Sequence, residues 1–262
     1  MSDAGTRLLL AALAITTLSA SQFVGDTINI VYVATEIGEL RTIGLPDESR
    51  ITLNTDSAIK TRTDVTALHV EVLRGEVLFA MRPNPIRQLV VSAGGLDITD
   101  TATVFDVRLT SEGQVWVTVE EGEVQLSDGR LGQVPLLHHQ QAVSDHRARL
   151  LELHKGLSTA AIGRRLAWRE GNLAFACERL ADAAREFNRY NMTKLEVDPR
   201  IADEQIGGQF SATDVEGFVQ LMPRLDADIR WERTRNAHGA PVLRLYRATN
   251  TKTERKLTPC NP

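Results

Sequence analysis

The side chains that could do chemistry are few, and their spacing matches no known catalytic or metal site. Four histidines fall within 17 residues but fit no zinc motif, so we interpret them as solvated polar positions. They are His138, His139, His146 and His154. The chain has 2 cysteines, too few for a disulfide framework or a four-thiolate zinc site within one chain.

Cys177 lies in an apolar run just before a helical pattern, which is typical of a small core residue. In an oxidising compartment it could instead pair with Cys260. The acidic residues Glu120, Glu121 and Glu123 bracket a turn, and we interpret them as a solvated hairpin rather than an acid/base pair. Neither a nucleophile elbow nor a phosphate loop nor a dinucleotide fingerprint occurs, so we predict no enzyme, no cofactor and no metal.

The elements that would hold these residues belong to an ordinary globular chain. Its 262 residues, 42% of them hydrophobic, allow one large domain or two modest ones. A formal charge of −4 gives no electrostatic reason to expect a nucleic-acid partner.

The stretch from Leu8 to Val24 carries no charge and follows Arg7, so the bulk of the chain is predicted to be exported. We favour an uncleaved inner-membrane anchor formed by residues 8–24. A signal peptide cleaved near Ser19-Ala20-Ser21, which would leave a soluble periplasmic protein, and a buried soluble helix are the alternatives.

The first region, residues 35–150, predicts an all-β domain: a sandwich, barrel or solenoid. Short runs alternate apolar with polar residues, and turn signals such as Arg74-Gly75 and Glu121-Gly122 separate them. The predicted strands include Arg50–Leu53, Ala67–Leu73, Glu76–Met81, Leu89–Ser92, Ala102–Leu109, Gln114–Val119 and Gly122–Leu126.

The second region, residues 168–248, mixes both periods and predicts a small α+β domain of β-α-β-β-α-β order. Its helices are predicted at Leu180–Tyr190 and Asp214–Leu221, with Thr213 or Asp214 as the cap of the second. The strands are predicted at Leu173–Phe175, Lys194–Val197, Ile206–Phe210, Ala227–Trp231 and Val242–Tyr246. The remaining segments are the N-terminal hydrophobic segment 1–26, a connector 151–167 and a polar tail 249–262.

A series of motifs in the first region resembles the FecR family of transmembrane sigma-factor regulators. The series runs Gly38-Glu39-x-Arg41, Leu45-Pro46-Asp47, Leu53-Asn54-x-x-Ser57, Arg74-Gly75-Glu76-x-x-Phe79, Thr103-x-Phe105 and Glu121-Gly122. A series of such groups in the family's order is more specific than any one of them.

The second region is similar to the domain that follows in these proteins, which itself resembles the short N-terminal signalling domain of secretins and TonB-dependent transporters. The residues that carry this likeness are Trp168, Gly171, Leu173, Phe175, Glu186, Arg189, Tyr190, Gly208 and Phe210.

The resemblance implies a signalling protein rather than an enzyme. Its exported part would receive a signal from the periplasmic signalling domain of an outer-membrane siderophore or iron-complex transporter. The signal would pass to an extracytoplasmic-function sigma factor, and an open sheet edge in the second region would be the docking strand.

Two departures from the family pattern qualify these expectations. Residues 1–7 leave no room for the family's cytoplasmic sigma-binding domain, which makes direct sigma-factor contact doubtful in the chain as printed. A periplasm-only modulator and an envelope structural or binding β module are therefore the alternative functions.

The second departure concerns a bond that some family members cleave by themselves at Gly-Thr. Here the pair is Ala102-Thr103, and alanine tolerates a strained backbone less well than glycine. We expect Thr103 to be an ordinary strand threonine, with self-cleavage by its hydroxyl as the alternative. Glu48 also replaces a usual glycine after Pro46-Asp47, which leaves the type of that turn open.

Overall fold

A computed structural model describes residues 29–84, 87–100, 102–130, 132–147 and 150–248. The predicted anchor 8–24, the tail 249–262 and Cys260 lie outside those ranges. None of the helices within them is long and apolar enough to cross a membrane.

The first region contains thirteen described strands that form one strongly curled sheet. The strands are β1 (Asn29–Ala34), β2 (Arg41–Gly44), β3 (Arg50–Leu53), β4 (Ala58–Thr63), β5 (Ala67–Ala80), β6 (Gln88–Ala93), β7 (Leu96–Asp100), β8 (Val104–Leu109), β9 (Gln114–Glu121), β10 (Glu123–Ser127), β11 (Val134–Leu137), β12 (Gln140–Asp145) and β13 (Leu150–His154).

The curled sheet consists of two arms that share the long strand β5. Arm A has the order β1-β4-β5-β6-β7-β10-β11, and arm B has the order β2-β3-β5-β8-β9-β12-β13. Inward side chains of both arms form one core, in which the rings of Phe79 and Phe105 stack with centroids 5.0 Å apart. The predicted mainly β first region is confirmed, and its architecture is a sandwich made from one sheet.

The chain changes arm at two glycines, and there the turn predictions are wrong. Arg74-Gly75 does not separate two strands but is a bulge within β5, where Gly75 has φ +83° and the register slips opposite Ala58. The first half of β5 pairs with β4 and β6, and the second half pairs with β3 and β8. A glycine with positive φ suits a tight turn and a bulge equally well, so the dipeptide alone misleads.

Glu121-Gly122 is a corner of the same kind, not the predicted solvated hairpin. The strand β9 pairs with β8 and β12, whereas β10, which begins at Glu123, pairs with β7 and β11. Gly122 has φ +83°, and a Cβ there would lie 2.5 Å from the methyl group of Thr103. Glu48 takes φ 65°, a left-handed conformation that explains why glycine suits this position better.

The predicted connector holds α1 (Thr159–Arg165), which is followed by a short 3-10 helix (Ala167–Glu170). The second region then contains β14 (Asn172–Arg179), α2 (Leu180–Tyr190), β15 (Lys194–Val197), β16 (Gln205–Ser211), α3 (Val215–Leu225), β17 (Ile229–Arg235) and β18 (Pro241–Arg247). The predicted β-α-β-β-α-β order is confirmed, and the predicted strand Val242–Tyr246 is present as the final strand β18.

Helix α2 has the predicted bounds and buries the predicted apolar face of Leu180, Ala183, Ala184 and Phe187. It ends at Asn191, whose side-chain amide donates to the carbonyl oxygens of Phe187 and Ala212 and so satisfies acceptors that the helix end leaves open. Asp214 caps α3 by accepting from the backbone N–H of Gly217 at 2.8 Å. The strands form two small sheets, β14-β16 and β15-β18-β17, around a second core.

Candidate functional site

The outer face of arm B is polar, yet the second region covers it. Because side chains alternate along a strand, Phe105 and Val107 point into the first core while Asp106 and Arg108 point away from it. On the neighbouring strand, Leu78 faces the same way as Asp106 and belongs to the second core. The two regions are therefore packed together, and polar side chains line much of their junction.

Two motif residues of the first region meet one of the second at this junction. Asn54 follows β3, and its side-chain amide donates to Glu76 Oε2 at 2.7 Å and to the hydroxyl oxygen of Tyr190 at 2.7 Å. All three residues are at least nine-tenths buried. One amide thus joins a strand of arm B to the last residue of α2.

Arg189 adds charge to the same contact. Its guanidinium donates to Glu76 Oε2 at 2.6 Å and to Glu186 Oε2 at 2.8 Å. On the other side of Glu186, Arg108 of β8 donates to Oε1 at 2.8 Å. Two carboxylates and two guanidiniums therefore alternate across the junction, and we call Asn54, Glu76, Asp106, Arg108, Glu186, Arg189 and Tyr190 the junction cluster.

The charges of the cluster reinforce each other despite their burial. Burial opposes ionisation of Glu186, but Arg108 and Arg189 hold the pKa of this carboxyl below its ordinary value. Burial likewise opposes the charge on Arg189, yet Glu76 and Glu186 raise the pKa of its guanidinium. Burial and the nearby Glu76 raise the pKa of Tyr190, so its hydroxyl stays protonated.

Asp106 is the exception, because it faces an acid rather than a cation. Its side chain is buried, and burial together with the charge of Glu76 raises its pKa well above the ordinary value. A hydrogen bond joins the carboxyl groups of Asp106 and Glu76, which requires a proton on one of them. The protonated form of Asp106 is therefore favoured beside the ion pair that joins Glu76 to Arg189.

Backbone contacts beside the cluster fix the position of α2. Thr55 donates its hydroxyl to the carbonyl oxygen of Arg189 at 3.1 Å and accepts from the backbone N–H of Gly38 at 2.8 Å. Gly38 has φ +82°, and a Cβ there would lie 3.2 Å from the carbonyl oxygen of Tyr190. The motif glycine thus permits the close approach of the loop after β1 to the end of α2.

Two open hollows flank the cluster. One has a volume of about 480 Å³ and is lined on one side by Trp116, Thr118 and Gln141 of arm B, and on the other by residues of α1 and β14. The other, of about 1130 Å³, lies between the tip of the β8–β9 hairpin and α2. The cluster therefore lies between two partly open spaces rather than within a solid interface.

The remaining motif residues have structural positions. Buried core positions are held by Leu53, Phe79, Phe105, Trp168, Leu173 and Phe175, with the partly buried Phe210 packed against the second core. Turns, caps and corners are held by Leu45, Pro46, Asp47, Gly75, Glu121, Gly122 and Gly171, whereas Gly208 lies within β16 opposite Phe175, with φ +131°.

Ser57 supports the bulge, because its Oγ accepts from the backbone N–H of Glu76 at 2.9 Å. The pair Glu39–Arg41 and the pair Arg74–Asp56 are exposed ion pairs away from the buried part of the junction.

Ala102 and Thr103 lie apart from the junction cluster, just before β8. Thr103 is buried, and its hydroxyl has no hydrogen-bond partner among the described residues. Neither residue has a positive φ. Self-cleavage at this bond stays a prediction, and the intact mass of the purified protein is the measurement that tests it.

The histidines do not converge on one site. His138 and His139 lie at the turn before β12 with ring centroids 5.5 Å apart, and His154 lies on the edge strand β13. No group of three metal-ligating side chains occurs within the described residues. Cys177 sits at a bulge in β14, where its φ is 139°, and the predicted pairing with Cys260 falls outside those residues.

The sequence motifs include Asn54, Glu76, Glu186, Arg189 and Tyr190 but miss Asp106 and Arg108 as members of the junction cluster. The missed residues occupy outward positions of β8, a pattern that predicts solvent contact. The cluster is made of carboxyl groups, guanidiniums, an amide and a phenol that bind one another. Such an arrangement couples the positions of two regions, and its chemistry is that of recognition.

Comparison with known proteins gives one family match, in the first region, and two solved structures of similar fold. A family model described as FecR protein matches residues 31–125. Two crystal structures of a candidate anti-sigma factor from Parabacteroides distasonis are similar in fold over most of the chain. One has a TM-score of 0.65 at 19% identity and covers 84% of this chain and 100% of that one. The other has a TM-score of 0.63 at 19% identity and covers 82% and 99%. No curated protein matches the chain.

Proposed function

We propose that this chain, whose residues 31–125 form a FecR-family region, is a regulator of sigma-factor activity that works by relaying a binding event. The family match and the names of the similar structures support the sigma-factor role in general. The finer proposal is that the exported part responds to the signalling domain of a TonB-dependent outer-membrane transporter. The response would pass through an inner-membrane anchor at residues 8–24 to an extracytoplasmic-function sigma factor.

The junction cluster is the observation that carries this proposal. Glu76 of the FecR-family region is held by Arg189 of α2, and Asn54 is held by Tyr190. A partner that moves α2 must therefore disturb buried charges of the first region. Because breaking a buried ion pair is costly, the disturbance cannot stay confined to the second region.

The second region offers a docking edge on β17. Within the described residues β17 pairs with β18 alone, so its other edge has open backbone groups. The backbone N–H of Ala248 donates to the carbonyl oxygen of Asp228, so these residues form a hydrogen-bonded pair between the two strands. Hydrogen-bonded and non-hydrogen-bonded pairs alternate along an antiparallel ladder. The N–H groups of Trp231 and Arg233 therefore point away from β18. These groups can receive an added strand.

The experiment is a pull-down of the full chain, in detergent, by the signalling domain of a co-expressed TonB-dependent transporter. We expect Arg233→Pro to abolish binding, because proline removes one outward N–H without removing a bond of the β17–β18 ladder. The matched control is Arg233→Ala, which removes the same side chain and its ion pair with Glu216 but keeps the N–H. It should bind like the unmodified chain.

If the unmodified chain binds no such domain, the transporter relay is contradicted. The sigma-factor role is tested separately by a transcription reporter. Equal loss of binding in both Arg233 variants would show that the side chain, not the strand edge, is the contact. Arg189→Ala separates docking from relay, since we expect it to bind the signalling domain yet fail to change the reporter.

A further inference from the structure

One corner of arm A groups four exposed large apolar side chains. Ile30 is 49% exposed, Val31 43%, Tyr32 67% and Val65 68%. These are four of the eleven large apolar side chains that are exposed among the described residues. Thr63, at the end of β4, pairs with Asn29, so the turn that carries Val65 lies at the end where the chain enters β1. We call Ile30, Val31, Tyr32 and Val65 the β1 corner.

The β1 corner is tethered close to the hydrophobic segment. Only five residues, 25–29, lie between Val24 and Ile30. An extended chain advances by at most about 3.5 Å per residue, so Ile30 lies within about 21 Å of Val24. Wherever the end of the hydrophobic segment sits, the β1 corner must sit beside it.

The charges around the corner nearly cancel. Lys60 lies 3.8 Å from Glu71 and 5.9 Å from the ring centroid of Tyr32. Asp64 is hydrogen-bonded to His69 at 2.9 Å, and Arg62, exposed, lies opposite Ile30. Lys60 and Arg62 therefore face Glu71 and Asp64, two basic side chains against two acidic ones. The apolar side chains and the tyrosine ring, not net charge, therefore decide what this corner binds.

We propose that the β1 corner rests on the lipid surface of the membrane that anchors the chain, with Tyr32 at the level of the headgroups. This proposal depends on the anchoring role proposed above for residues 8–24. Tyrosine is enriched at membrane interfaces because its ring is apolar and its hydroxyl is polar, and lysine and arginine beside it keep their charges in water.

The backbone limits how deep the corner can go. Within the described residues β1 pairs with β4 alone, so its outer edge has unpaired N–H and C=O groups. Hydrocarbon cannot satisfy such groups, whereas water and headgroups can. The corner therefore stays in the interfacial layer, and the first region is held against the membrane at one end of arm A.

The test uses the full chain in nanodiscs, one chain per disc, made with lipids that carry bromine near the headgroup end of the acyl chains. Bromine quenches a nearby tryptophan. The probe variant is Tyr32→Trp, at a position that is already aromatic and 67% exposed. The matched control is Leu137→Trp, 40% exposed on β11. β11 lies six strand spacings from β1, or about 29 Å along the sheet.

Both variants retain the three native tryptophans, so the difference between them reports on the added ring. We expect quenching of the added ring to be at least about twofold greater at position 32 than at position 137, and similar in zwitterionic and anionic discs.

Equal quenching at the two positions would overturn the proposal, and so would recovery of the chain apart from the discs. If a second copy or another protein covered this corner instead, the ring at position 32 would stay unquenched in discs that hold a single chain. The experiment requires neither a transporter nor a sigma factor, so its result is independent of the relay test.

Discussion

Glu76 is the residue on which the junction depends, because it accepts from Asn54 and Arg189 and lies beside the buried Asp106. Its side chain is only 6% exposed, so losing a partner leaves a largely desolvated carboxylate. The bulge at Gly75 immediately precedes it and sets the direction in which its side chain points. At the scale of single residues, the bulge at Gly75 orients the carboxyl group of Glu76, and Arg189 of α2 pairs with it.

Arg189→Ala should destabilise the protein by about 3–5 kcal/mol, because it leaves the buried Glu76 without its cation. Urea unfolding followed by circular dichroism measures this loss. The control is Arg74→Ala, which breaks the exposed pair with Asp56 and should cost no more than about 1 kcal/mol. Similar losses in the two variants would contradict the role given to Arg189.

Asp106→Asn should stabilise the protein at neutral pH. The pKa of Asp106 is raised in the folded state, so the unmodified chain loses stability as the pH rises above the ordinary aspartate range, and the asparagine variant does not. We expect the advantage of the variant to be about 1–3 kcal/mol at pH 7.5 and to shrink toward pH 4. Unfolding free energies at both pH values test this, and a constant difference would contradict it.

Among the elements, those of the second region follow closely from the sequence. Strong helical and strand periodicity predicts α2 and β15 at their observed bounds, since burial of one face dominates there. The curled sheet is less predictable, because Gly75 and Gly122 serve as a bulge and a corner where their neighbours indicate turns. The family motifs include five members of the junction cluster. Asp106 and Arg108 could not be inferred, because nothing local to a polar strand face shows which element will cover it.

Gly75→Ala should be far more costly than an ordinary substitution of a left-handed glycine. The new Cβ would lie 2.2 Å from Oγ and 2.6 Å from Cα of Ser57, and one of these contacts is backbone. Gly129→Ala is the matched control, because its φ is +75° but nothing lies within 4 Å.

The control should cost about 1 kcal/mol, from backbone strain alone, and Gly75→Ala should cost at least about twice as much. Thermal unfolding of both variants measures the difference. Equal thermal unfolding midpoints for the two variants would mean that β5 accommodates the added Cβ with no extra loss of stability.

At the scale of the whole molecule, the two cores are joined by shared residues rather than by a linker alone. Leu78 lies on a strand of the first region but packs in the second core, next to the outward row that carries the charges. The outer face of arm B is therefore covered by the second region. A partner bound to the second region acts on a structure that includes the first.

Native-state hydrogen exchange should show this coupling. We expect amides around Val117 in the first core and around Phe187 in the second to open with similar free energies in the unmodified chain. In Arg189→Ala, the amides of α2 should open more easily while those of β9 keep their protection. If α2 already opens independently in the unmodified chain, the two regions are not coupled at equilibrium.

The shared strand β5 also has a mechanical consequence. Its 14 residues form one continuous piece of backbone, about 46 Å long if fully extended, whose halves are hydrogen-bonded into different arms. Its first half pairs with β4, beside the β1 corner, and its second half carries Glu76. A displacement of α2 is therefore transmitted to β5 through the Arg189–Glu76 pair, and the strands hydrogen-bonded to β5 on both sides resist its movement. The strand β5 therefore connects the junction cluster mechanically to the β1 corner. This connection is longer than any single side-chain contact.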